Sequence, residues 1–333
     1  MDLPPLPDLP KLPRVRLLDG PTPLQPLAGL SRVLGDRAEL WIKREDLGPL
    51  AFAGNKLRNL EFLLGAAIAE GADTVITSGR RWSNHCRLTA AAGAKLGLRV
   101  EIVVSGPPVP HSPNLGLIRE LGATIHQAST DDRAEREQLV ARVAAEAAAQ
   151  GRRVRVIPVG GSEPAGAWGH VLAAIEVREQ AAAAGFTPDA IVLPTATGGT
   201  QAGVLVGSTL AMRPAPRVIG VVVAKSAAEL QIVVEGLARP LATMAGIAPP
   251  LDRIELDATQ IGRGYGEPTP AADEAARMIA RADGILVDPV YTAKGLAGLI
   301  ALVRAGALDG RRAIFWHGGG LPALFEPALG GKD

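Results

Sequence analysis

AIVLPTATGGTQAGVLVGSTLAM (190–212) contains no charged residue, and how it is read decides the fold. By length alone it is sufficient for a bilayer span, which takes about 20 apolar residues. Its middle, TATGGTQAG (195–203), puts polar and flexible residues where lipid demands an unbroken apolar helix. A buried strand, a glycine loop and a buried helix account for it better. In that arrangement backbone N–H groups and the positive helix end face an anion. Gly198 and Gly199 allow close approach, and Thr197 and Thr200 add hydroxyls. The same loop serves equally as a tight turn whose glycines only ease packing. No lysine follows the second glycine and G-x-G-x-x-G spacing is missing, so neither a Walker loop nor a dinucleotide fingerprint is present.

The pattern repeats along the chain. Strands are predicted at 74–78, 100–104, 123–127, 153–158, 191–194, 218–223, 284–289 and 313–317, with helical patterns at 56–70, 83–96, 131–150, 165–184, 201–212, 270–282 and 293–305. Apolar strands alternating with helices imply an α/β fold with parallel sheets covered on both faces. Asn55, Ser83 and Ser112-Pro113 are read as helix starts, and Gly71 and Gly97 as helix ends. The charge run DDRAERE (131–137) reads as the solvated face of its helix, needing no partner.

At 333 residues the chain suits one large α/β unit or two closely packed lobes. A net charge of +1 gives no reason to expect nucleic acid or an anionic membrane as partner. Prolines and charges break up any apolar segment in MDLPPLPDLPKLPRVRL (1–17), and Cys86 is the only cysteine. A cytoplasmic protein without a signal peptide, membrane span, disulfide or metal site is expected.

Lys56 stands at the start of a helix behind Gly54 and Asn55. A Schiff-base lysine reacts as the free amine, and a positive helix end disfavours the ammonium form. By residue type alone, a solvent-facing charge is the favoured reading of Lys56. The segment TSGRRWSNHCRL (77–88) repeats strand, loop and helix start, with Ser83 either a cap or a ligand contact and His85 in the first helical turn.

Together these segments resemble the family of 1-aminocyclopropane-1-carboxylate (ACC) deaminase and D-cysteine desulfhydrase, pyridoxal-phosphate enzymes of fold type II, the tryptophan-synthase β-subunit fold. The resemblance runs through FAGNKLRNLEFLL (52–64), SNHCRLTAAAGAKLGL (83–98), PVGGSEPAGAWGHV (158–171), TGGTQAG (197–203), YGEPT (265–269), DPVYTAKGLAGL (288–299) and HGGGLPALF (317–325). It implies a small lobe at 58–160 inserted in a large lobe made of 1–57 and 161–333, with the cofactor between them and a homodimer as the assembly. It implies that Lys56 carries the cofactor and moves the Cα proton. Asn84 would meet the cofactor's 3′-oxygen, Thr197, Gly198, Gly199 and Thr200 its phosphate, and Thr292 its ring nitrogen. Ser83 and His85 would line the substrate carboxylate site, while Tyr265 and Tyr291, the only tyrosines, would face the substrate.

Within that resemblance, Thr292 stands where the deaminases carry an acid, and SNH (83–85) where they carry SNQ. Both favour α,β-elimination from a small amino acid, giving pyruvate, ammonia and the released group. Arg80, Arg81 and Trp82 depart from the family pattern before Ser83, and Gly318 departs after His317. Trp82 adds bulk near the expected substrate and Gly318 removes it. The two arginines either face solvent or pair an anionic substituent such as a sulfonate or second carboxylate. ACC deamination and a cofactor-binding protein with little turnover are the rival readings.

Overall fold

The computed structural model describes residues 5–327, so the first four residues of the proline-rich start lie outside it. In chain order the strands are β1 (Leu24–Pro26), β2 (Glu39–Arg44), β3 (Thr74–Arg80), β4 (Arg99–Ser105) and β5 (Thr124–Gln127). They continue as β6 (Val154–Val156), β7 (Ala190–Thr195), β8 (Arg217–Val222), β9 (Ile254–Asp257) and β10 (Arg312–His317). The helices are α1 (Ala28–Val33), α2 (Lys56–Ala69), α3 (Asn84–Leu96), α4 (Pro113–Glu120) and α5 (Arg133–Ala149). After them come α6 (Pro164–Ala183), α7 (Gly199–Ala211), α8 (Ala227–Ala245), α9 (Pro270–Asp283) and α10 (Thr292–Arg304).

Two sheets result. One has six strands in the order β1-β2-β10-β7-β8-β9, the other four in the order β5-β4-β3-β6. Every pairing is parallel except that of β1 with β2. Side chains alternate between two apolar layers as a pleated strand requires. Ile191, Leu193 and Ile314 pack on one face with Trp168 and Val204, while Val192, Ile42 and Phe315 pack on the other with Leu296 and Leu299. In the smaller sheet Val75 faces α2 and α3 through Leu60 and Leu88, and its neighbour Ile76 faces α5 through Val143. Each of these fully buried aliphatic or aromatic side chains contributes roughly 1.5–3 kcal/mol.

The charge-free stretch 190–212 is β7, a loop and α7, nearly all buried. The glycines of α7 let it close on α6: a Cβ at Gly203 would sit 2.4 Å from the carbonyl oxygen of Ala167, and one at Gly207 2.5 Å from that of Val171. Among the described residues no helix is long and apolar enough to cross a membrane.

Three expectations need correction. Residues 284–289 form no strand, because Leu286 gives its carbonyl to His317 Nε2 (2.9 Å) and Asp288 bends the chain into the start of α10. Asn55 does not cap α2; its backbone is already helical and its Nδ2 donates to Thr200 Oγ1 at 2.9 Å. The run 131–137 is not merely solvated, since Asp131 pairs with Arg80 at 2.8 Å and Arg136 reaches a cavity. Ser83, Ser112 and Asp132 do cap their helices by accepting from Cys86, Leu115 and Glu135 N–H groups.

Candidate active site

The carboxyl ends of β3, β7, β8 and β10 open onto one cavity of ≈ 270 Å³, where parallel α/β sheets commonly bind ligands. Lys56, Ser83, Asn84, His85, Thr197, Gly198, Thr200, Tyr265, Tyr291, Thr292 and Gly318 all line it. Gly199, the first residue of α7, is not in that lining but stands in the chain between Gly198 and Thr200, which are.

Lys56 begins α2, and its Nζ donates to the Gly160 carbonyl at 3.0 Å. Burial pulls its pKa down to about 8, so desolvation, more than the helix end, eases loss of its proton. The helix is anchored one half-turn on by Arg58, which pairs with Glu45 at 2.7 Å and Glu176 at 3.0 Å; Lys43 pairs with the same Glu176. Arg58 and Lys43 together hold the Glu45 carboxyl down at about 2 against its complete burial. Removing one partner from such a buried set strands a charge, so the network fixes where Lys56 begins.

Opposite the amine stands the start of α7. Gly198 adopts a left-handed conformation (φ 77°) that turns β7 into the helix. No side chain caps that end and no acid occupies its first turn, which leaves the N–H groups of Gly199, Thr200 and Gln201 without helical partners. Gly160 packs against this loop so closely that a Cβ would lie 2.7 Å from Thr197 Oγ1, and Ser162 Oγ donates to the Thr197 carbonyl. Gly160 of PVGGSEPAG therefore serves both the amine and the loop, a role that spacing in the sequence did not reveal.

Ser83 caps α3 and still has its own hydroxyl proton to give. Asn84 Oδ1 accepts from Arg87 at 2.8 Å, leaving its Nδ2 as a free donor among the described residues. Thr77 Oγ1 donates to Ile157, so His85 Nε2–H donates to Thr77 (2.9 Å) and its buried Nδ1 is left an acceptor without a partner. Burial and the nearby Lys56 charge lower the His85 pKa to about 3. A neutral ring presenting an acceptor does not suit the carboxylate contact expected of it.

Tyr265 and Tyr291 share a hydrogen bond through their hydroxyls, and burial raises both pKa values, Tyr291 well above 10. Asp288 aims Tyr291 by accepting its N–H (2.8 Å) and takes the Thr292 hydroxyl at 2.5 Å. The Thr292 hydroxyl proton is thus committed to a buried carboxylate. Lys294, fully buried in α10, donates to the Ile261 and Gly264 carbonyls at 2.7 and 3.1 Å and pins the loop before Tyr265. Asp288 and Lys294 were missed as positioning residues; a lysine inside the apolar TAKGLAGLIALV (292–303) was the available signal.

Trp82 does not line the cavity. It packs behind the tyrosines with Val290 and Ala323. Arg81 also turns away, pairing with Glu326 at 3.3 Å, whereas Arg80 faces in. A buried amine, an uncapped helix start and a pair of neutral phenols meeting in one cavity suit a phosphorylated carbonyl compound that condenses with a lysine.

The profile of the pyridoxal-phosphate dependent enzyme family matches residues 15–319. D-cysteine desulfhydrases of Salmonella choleraesuis (strain SC-B67) and Salmonella paratyphi B (strain ATCC BAA-1250 / SPB7) are each 40% identical over 331 residues, 96% of this chain and 98% of theirs. A crystal structure described as an ACC deaminase homologue superposes with a TM-score of 0.87 at 35% identity, over 94% of this chain and 93% of that one. The processed form of threonine deaminase isoform 2 from Solanum lycopersicum shares the fold at a TM-score of 0.65 and 17% identity, covering 90% of this chain and 79% of that one. With its mostly parallel, helix-covered sheets, the chain belongs to the pyridoxal-phosphate dependent enzymes of fold type II.

Proposed function

We propose that the chain is a lyase that removes the β-substituent of a small amino acid, as a D-cysteine desulfhydrase does. The observation that carries this is Lys56, a buried amine with a pKa near 8 facing the uncapped start of α7 across one cavity. The residues fit the cofactor. The N–H groups of Gly199, Thr200 and Gln201 and the hydroxyls of Thr197 and Thr200 would hold its phosphate and Asn84 Nδ2 its 3′-oxygen, while Thr292, expected at its ring nitrogen, has its hydroxyl proton held by Asp288 and would give that nitrogen no donor. When bound, pyridoxal phosphate condenses with the amino group and acidifies the Cα–H bond.

The protein's own part follows from its donors. Lys56 takes the Cα proton, Gly160 O holding the amine in place beforehand. Ser83 Oγ and the free N–H groups of α3 bind the carboxylate. The phenols of Tyr265 and Tyr291 remain protonated at neutral pH and so act as a proton donor to the departing group. Relatedness to D-cysteine desulfhydrases over nearly the full length supports elimination, as does Thr292. The structure described as an ACC deaminase homologue keeps ACC deamination as the second reading.

We also propose that residues 58–160 form a small lobe, supported by a four-stranded sheet drawn wholly from Thr74–Val156. Cytoplasmic location is supported by the single buried cysteine, and a homodimer by the family resemblance, which sedimentation checks. The decisive experiment reads the visible absorption of the lysine-bound cofactor, which must vanish in Lys56→Ala. Keto acid from D-cysteine and from ACC is then assayed. Pyruvate from D-cysteine supports the lyase; 2-oxobutyrate from ACC alone replaces it with the second reading.

A further inference from the structure

The wall supplied by the four-stranded sheet is more cationic than an α-carboxylate needs. Arg80 and Arg136 line the cavity on this side, Lys225 lines it after β8 of the other sheet, and among the described residues no Asp or Glu lines it. Arg80 ends β3, pairs with Asp131 at 2.8 Å and lies 5.5 Å over the Trp82 ring and 5.6 Å over Tyr265. Arg136 comes from α5. Among the described residues it has no ion pair, and its Nε is buried without a hydrogen-bond partner. Its charge acts on Cys86, whose N–H is bound by Ser83. Both guanidinium groups therefore stand on the Ser83–Tyr265 side, whereas the glycine loop lies at the end of β7. A substrate with an uncharged side chain leaves the buried Nε of Arg136 without a hydrogen-bond partner, which costs free energy.

We propose that Arg80 and Arg136 receive a second anion, an oxyanionic group carried on the β-carbon of the substrate. This rests on the elimination reading and narrows its substrate class to small amino acids bearing a β-sulfonate or β-phosphate ester. In the step, Lys56 takes the Cα proton, the Cα–H electron pair becomes the Cα–Cβ double bond, and the bond from Cβ breaks with its pair on the departing group. For a β-sulfonate the products are sulfite and an enamine, and water converts the enamine to pyruvate and ammonium. No external oxidant or reductant is required. Arg80 and Arg136 stabilise the charge of the departing oxyanion, with the Tyr265 ring 5.6 Å from the Arg80 guanidinium.

The test uses holoenzyme with both enantiomers of cysteate and O-phosphoserine, against D-cysteine and β-chloro-D-alanine as substrates lacking the second anion. Wild-type kcat/KM should be highest for an oxyanionic substrate. In Arg136→Gln the ratio of oxyanionic to D-cysteine kcat/KM should fall about 10- to 100-fold, the scale of one charge-assisted hydrogen bond, and Arg136→Lys should recover part of it. Sulfate should compete with D-cysteine, its inhibition constant rising at least about tenfold in Arg136→Gln. A melting temperature equal to wild type shows that the variant folds. Turnover of D-cysteine and β-chloro-D-alanine without any oxyanionic preference, or an equal loss for both classes, overturns this proposal and leaves elimination standing. If no β-substituted amino acid yields keto acid, elimination fails and this proposal falls with it.

Discussion

Tyr291 owes its position to Asp288, and its protonation to burial against Tyr265. Because both phenols stay neutral, the contribution proposed for them is a proton given at the moment of bond breaking. Tyr291→Phe should therefore lower kcat about 10²- to 10³-fold in a keto-acid assay with KM nearly unchanged. The double variant with Tyr265→Phe should be no slower than the slower single one, since the two hydroxyls act as a pair. A kcat close to wild type removes the donor role. At this scale the sequence was informative wherever a motif carried its own chemistry: Lys56, Ser83, Asn84, both tyrosines and the glycine loop converge on the cavity. It was silent where a role depends on distant chain. Arg136 sits in a run of charges that looks fully solvated until α5 packs beside β3, and Trp82 is separated from the cavity by Tyr265 only through folding.

Helices were the most legible elements, since their apolar period and caps are local, as at Ser83 and Gly97. Strands depended more on neighbours. β2 escaped notice because ELWIKR carries charges, yet Lys43 in it is fully buried and neutralised by Glu176 from α6. GILVDP has the right composition for a strand, but Asp288 uses its carboxylate to collect three successive N–H groups, and the backbone turns instead of pairing. The close approach of α6 to α7 was equally invisible, being a property of two helices. It makes a clear prediction. Gly203→Ala should destabilise the protein by about 1–3 kcal/mol in urea unfolding, although alanine is the better helix former, because its Cβ meets the Ala167 carbonyl oxygen at 2.4 Å. A stabilised variant would show that the two helices move apart freely.

Across the whole molecule, buried titratable groups tie stability to pH. His85 and His170 have pKa values near 3 in the folded chain, against 6.5 when unfolded, because burial disfavours their charged forms. Protons then bind the unfolded chain preferentially, and stability falls as pH drops from about 6.5 toward 3. Each imidazole adds up to about 1.4 kcal/mol per pH unit in that window. Glu45, held near 2, adds to the loss only below about 4.5. Urea midpoints that decline already between pH 6.5 and 5 are expected; a flat profile there would exclude the histidines as the cause. The overall α/β layering was readable from alternating apolar runs, but how the two sheets share a cavity was not, because no local pattern encodes it. That sharing has an evolutionary consequence. The lysine and the glycine loop follow β2 and β7 of one sheet, while Arg80 and Arg136 belong to β3 and α5 of the other. Mutation can redraw the second set without disturbing the first, so descendants of such a scaffold are free to diversify in the group they expel while inheriting one unchanging anchor.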